Sequence, residues 1–72
     1  MTDFRRSIIE TARQYYTASI SRHRLNVEVL MQNGVGVAEH PDLMETIDNE
    51  LGKIAEYHDK LEMLVHYFPV GE

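Results

Sequence analysis

The side chains that could carry chemistry are four histidines (23, 40, 58 and 66), twelve carboxylates and three serines. Metal centres in carboxylate-bridged bundles draw Glu-x-x-His pairs from facing helices. Ala55 stands three residues before His58 and Met63 three before His66, so neither histidine belongs to such a pair. His58/Glu62 and Glu62/His66 are one helical turn apart, a spacing that arises readily in an acidic helix, and the N-terminal half holds no matching cluster. Ser7, Ser19 and Ser21 sit in a helix-like stretch without Gly-x-Ser-x-Gly. Asp48/Glu50 and Asp59/Glu62 read as a solvated acidic face. Gly34-Val35-Gly36-Val37-Ala38-Glu39 has two glycines of a phosphate loop, but it follows a helix pattern and lacks Gly-Lys-Ser/Thr, and Glu39 would repel phosphate. It reads as a turn. With no cysteine, disulfides, thiolate metal sites, iron–sulfur clusters and thiol catalysis are excluded. No metal, cofactor or enzymatic activity is expected.

The elements that would position these groups are helical. In the second half Met44, Ile47, Leu51, Ile54, His58, Leu61, Val65 and Phe68 recur in steps of three and four. That is a heptad seam with a at 44, 51, 58 and 65 and d at 47, 54, 61 and 68. Pro41 suits a first turn, Asp42 and Glu45 have capping-box spacing, and Pro69 and Gly71 stop the run. The first half has Ile9, Tyr16, His23 and Leu30 at a, and Ala12, Ser19 and Asn26 at d, small enough for close approach. Thr2 or Asp3 can cap it, and Asn33-Gly34 can end it. The expectation is one domain over 1–72: helix over about 3–32, turn over 33–40, helix over about 41–68.

The fold class this implies is all-α, an antiparallel helical hairpin. A turn centred near Val35 would bring together residues whose numbers add to about 70, with Arg6–Glu62 and Arg22–Glu50 as cross-helix ion pairs. Residues 1–32 carry five Arg against three acids, and residues 33–72 carry two Lys against nine acids. This asymmetry favours packing one half on the other, and the net charge of −5 is a poor starting point for nucleic-acid binding. The arginines of the first helix, with Tyr15-Tyr16 beside them, keep nucleic acid as the alternative partner.

Two helices cannot enclose a core, and a chain this short buries only about 60% of its unfolded surface. One flank of the seam is apolar along its length. Ile8, Tyr15 and Val29 face Leu43, Tyr57 and Leu64 there, extended by Phe4, Leu25 and Tyr67, with Arg22 and Glu50 in the middle. An exposed strip of that kind marks an interaction surface. The hairpin is therefore expected to form a homodimer, a four-helix bundle, through this strip. The acidic outer face of the second helix (Glu45, Asp48, Asn49, Glu56, Asp59) is the expected contact for a basic protein partner. His23 and His58 are expected in the seam, as a polar layer that fixes register or as a pH-sensitive pair. Gly52 sits at an outward b position, either tolerated or approached by another chain. No stretch is apolar enough to cross a membrane or to serve as a signal peptide, so a soluble, cytoplasmic protein is expected.

Two resemblances attach to particular residues. His40-Pro41-Asp42 is the tripeptide that J-domain co-chaperones hold between two antiparallel helices. Here Gly34 to Glu39 intervene where that family runs a basic helix into the tripeptide, and Leu43-Met44-Glu45 follow. The match is therefore read as chance. The stretch Val35 to Phe68, VGVAEHPDLMETIDNELGKIAEYHDKLEMLVHYF, resembles small proteins of tailed myophages of marine cyanobacteria. That resemblance implies no activity, cofactor or functional residue. It implies a phage accessory protein in an infected cell's cytoplasm or in a virion, one that binds a host or phage protein.

Overall fold

The computed structural model describes residues 3–32 and 42–71, in which the helical periodicity is realised as α1 (Phe4–Gln32) and α2 (Asp42–Tyr67). Asp3 caps α1: its Oδ1 accepts the backbone N–H of Arg6 at 3.1 Å, and its carbonyl accepts that of Ser7 at 3.1 Å. Asp42 and Glu45 lie in the first turn of α2 and His66 in its last, the placement that suits the helix dipole. Beyond α2, Phe68 N–H still donates to the Leu64 carbonyl at 2.9 Å. Gly71 then takes φ 97°, a left-handed conformation that needs glycine. The turn over 33–40, the Asn33-Gly34 stop and Pro41 lie outside the described residues.

The helices pack antiparallel along their length. Arg5 Nη1 donates to the Pro69 carbonyl at one end (3.1 Å), Tyr15 and Tyr16 meet Tyr57 midway, and His23 meets Glu50 further on. The numbers of facing residues add to about 73 rather than the expected 70, a slip of about one turn on one helix. α1 turns its expected seam inward: Ile9, Ser19 and His23 are buried and Ala12, Tyr16, Asn26 and Leu30 are half-buried. Val27, one place round, is buried too.

α2 does not turn its expected seam inward. Met44, Leu51, His58 and Val65 are exposed, whereas Leu43, Ile47, Glu50, Ile54, Tyr57, Leu61 and Leu64 are half-buried against α1. The inward positions are d and g, not a and d, a rotation of about 60° about the helix axis at 100° per residue. The apolar arc of α2 spans a, d and g, so hydrophobic burial alone permits either orientation. His23 and Asn26 on the α1 seam require a polar partner when buried, and Glu50, a g residue, supplies it. The same slip and rotation replace the expected ion pairs. Arg6 stays with Asp3 (3.9 Å), and Glu50 turns to His23 rather than to Arg22.

Gly52 faces open space, since a Cβ there would have nothing within 4 Å. Gly52→Ala is expected to stabilise the protein by about 1 kcal/mol, the helix-propensity difference, in urea unfolding followed by circular dichroism. Destabilisation would instead mean that another chain closes on that position.

Candidate protein-interaction surface

The polar centre of the hairpin is built from two residues one turn apart on α1 and one on α2. His23 is 6% exposed. Its Nδ1–H donates to Glu50 Oε1 at 2.6 Å, and Asn26 Nδ2 donates to the same oxygen at 2.9 Å. Because the acceptor is a carboxylate, Nδ1 carries a proton in this contact. Hydrogen bonds from His23 and then Asn26 hold the Glu50 carboxyl below its ordinary value of 4.5, with His23 and Arg22 charge adding to the effect.

Tyr57 is the aromatic hub beside this centre. Its ring stacks on His23 (6.0 Å, 14°), meets Tyr15 edge-on (6.0 Å, 88°) and lies 6.1 Å from Tyr16. Lys60 Nζ stands 5.3 Å from its centroid. A hydrogen bond with Tyr15 pushes the Tyr57 phenol above 10.0. Lys60 in turn pairs with Glu56 at 3.0 Å, which lowers the Glu56 carboxyl and raises the Lys60 amine.

The residues expected to form the interaction strip divide. Phe4, Ile8, Tyr15, Leu25, Val29 and Tyr67 are all more than half exposed. Leu43, Tyr57 and Leu64, expected beside them, instead belong to the hairpin's own contact because α2 is rotated inward at g. His58 is corrected likewise: it lies outside the core, 61% exposed, with Nε2 3.6 Å from Glu62. The acidic face of Glu45, Asp48, Asn49, Glu56 and Asp59 is exposed throughout, and Glu56 is engaged by Lys60 and, at 3.8 Å, by Lys53.

Two features escaped sequence reading. Glu50 reads as a flank residue from its heptad position, although His23 and Asn26, spaced one turn apart on an otherwise small or apolar seam, call for an acceptor opposite them. The rotation also leaves a second apolar edge on α2, made by Met44, Leu51, Val65 and Phe68, each about half exposed or more. The two edges lie on opposite sides of the hairpin. Tyr15 marks one side by its contact with Tyr57. Glu10 and Arg13 mark the other, where they share a groove with Val65 and Phe68. Among the described residues no group of three or more His, Asp or Glu could hold a metal ion, and no helix is long and apolar enough to cross a membrane. No protein-family model, curated protein or solved structure matches the chain.

The lowered Glu50 value fixes the sign of an acid effect. A carboxyl that binds protons less readily folded than unfolded contributes stability above its unfolded value, and that contribution is lost as pH falls through the folded one. Thermal melts are expected to weaken progressively below about pH 4.5, the ordinary carboxyl value. Glu50→Gln is expected to be less stable than wild type at pH 7 and to lose less of its stability on acidification. Parallel melting curves for the two proteins from pH 7 to pH 3 would contradict that.

Proposed function

We propose that the chain is a non-enzymatic protein-interaction module that self-associates as a helical hairpin and binds another protein. The observation that carries this reading is the imbalance of apolar burial. Ile9 and Val27 are the only buried hydrophobic residues among those described, against twelve large hydrophobic residues left exposed. At about 1.5–3 kcal/mol for each large apolar side chain taken fully out of water, covering part of that surface would add substantially to what Ile9, Val27 and the half-buried residues of the hairpin contact supply. The dimensions agree: the Cα atoms span 58 × 18 × 12 Å, with a radius of gyration of 16.6 Å. A compact domain of this length would have about 11 Å.

The described helices carry open grooves along their surfaces, and a shallow apolar groove suits a helix or a loop of another protein better than a small substrate. The acidic outer face of α2 supports a basic partner. Nucleic acid is the competing partner, because Arg13, Arg22 and Arg24 of α1 are exposed.

Wild-type protein at micromolar concentration is expected to sediment at twice the 8.4 kDa of one chain. A folded species of single-chain mass would remove self-association from the proposal. The tagged protein is expected to retain a protein partner from a lysate after nuclease treatment. Loss of all bound material on nuclease treatment, with a salt-dependent mobility shift, would transfer the function to nucleic acid.

A further inference from the structure

Self-association requires a face, and the hairpin has two apolar edges on opposite sides. Resting on the self-association proposed above, we infer that the second copy covers the α2 edge formed by Met44, Leu51, Val65 and Phe68. The two-fold axis runs along the hairpin, so that each α2 lies over the partner subunit's α1 and the two copies of α1 run parallel.

The first support is periodicity. Positions 44, 51, 58 and 65 repeat every seven residues beside the d and g positions that already contact α1, and three of them are apolar, with His58, beside Glu62, the exception. A helix apolar at a, d and g has two helical neighbours, as in a four-helix bundle, and the hairpin supplies one of them. The second support is area. The chain exposes 5819 Å², whereas a compact monomer of its mass exposes about 4600 Å². The excess of about 1200 Å² exceeds the roughly 800 Å² per partner that a standard interface buries.

Charge selects both the edge and the axis. On the α2 side this face is bordered by Glu45, Asp48, Asp59 and Glu62. On the α1 side it is bordered by Arg13 and Arg24, with Glu10 the exception. Opposite signs on opposite borders make the face self-complementary, which an isologous interface needs. An axis along the hairpin keeps each residue at its own level. Facing numbers add to about 73, so Arg24 comes level with the partner's Asp48, and Arg13 with the partner's Asp59. An axis across the hairpin would lay α2 on α2 and set acid against acid. The opposite edge is less suited to a second copy, since Arg22 of α1 stands on one border and on the other Lys53 and Lys60 of α2, both paired with the single Glu56, leave an excess of positive charge.

The chain has no cysteine, so single thiols can be placed anywhere. Three proteins are sedimented at micromolar concentration, with circular dichroism to confirm helicity. Wild type and Ile8→Asp are expected as two-chain species and Leu51→Asp as a single chain. Dissociation of Ile8→Asp, with Leu51→Asp still paired, would overturn the assigned edge and leave self-association standing. A single-chain wild type would instead remove the self-association on which the inference rests. Should Leu51→Asp lose its helicity, thiol labelling of the milder Leu51→Cys and Ile8→Cys proteins decides the edge. Protection at 51 with free reaction at 8 is expected, and the reverse overturns the inference. For the axis, equal amounts of Arg24→Cys and Asp48→Cys chains are mixed and oxidised. Disulfides joining 24 to 48 are expected. Absence of 24–48 products, or their failure to exceed 24–24 and 48–48 products, would overturn the axial two-fold.

Discussion

The shared carboxylate oxygen of Glu50, held by His23 at 2.6 Å and Asn26 at 2.9 Å, determines how the two helices meet. Helical surfaces repeat every seven residues, so apolar contacts alone leave two things nearly degenerate: how far α2 slides along α1, and which of its edges turns inward. A buried imidazole and a part-buried amide remove that degeneracy. Each must find an acceptor, and an imidazole N–H left without one costs about 1–3 kcal/mol. Only one placement brings Glu50 to both. The role is that of a buried polar residue in a coiled coil, which selects register. Here the pair selects rotation as well, because its acceptor lies at the edge of the apolar arc and not at its centre.

Other contacts follow from that placement. With Glu50 inward, Tyr57 one heptad later is inward too, and its ring closes over His23, Tyr15 and Tyr16. A heptad further, Leu64 reaches the level of Ile9, one of the two buried apolar residues. Arg5 then meets the Pro69 carbonyl and ties the exit of α2 to the start of α1. Small side chains at Ala12 and Ser19 allow the close approach that lets these bonds form. The cost of the arrangement falls on Met44, Leu51 and Val65, which the rotation carries out into solvent.

Much of the hairpin was legible in the residues. The 3–4 spacing specified both helices, Asp3 was recognisable as a cap, and the small d residues marked the inner face of α1. The rotation of α2 was not legible, and the reason is specific. Scored by hydrophobicity, the a/d seam holds one polar residue, His58, and the d/g seam also holds one, Glu50. A carboxylate looks worse in a seam than an imidazole, so counting apolar positions favours the wrong face. What decides is pairwise: the partners waiting at His23 and Asn26 on the other helix. The sequence displays each residue but not which level of α1 each reaches or which way α2 faces. Arg22 and His23 lie at nearly the same level opposite Glu50, and turning g inward gives Glu50 to the buried His23 rather than to the exposed Arg22. The side chains at Phe4, Ile8, Tyr15 and Leu25 were assigned to the outside from helix geometry alone, because that assignment needed no knowledge of α2.

The two exposed edges follow from a mismatch between the width of the helices' apolar faces and the number of neighbours available. α1 is largely apolar from a through d to g and c, with Ile20 and Val27 adding to it at e, and α2 from a through d to g. Each arc exceeds what one antiparallel neighbour can cover, whichever way the helix is turned. Rotating α2 to cover Met44 and Leu51 would expose Leu43, Tyr57 and Leu64 and strand His23 without its acceptor. Exposure of one edge is therefore a property of a two-helix unit with these sequences, independent of the rotation adopted. The rotation decides which chemistry the open edge carries. As the helices stand, the edge opened on α2 lies between an acidic and a basic border, whereas the edge on α1 lies between Arg22 and the cluster of Lys53, Glu56 and Lys60. The contact that satisfies a buried histidine thus also determines which side chains the open edge presents.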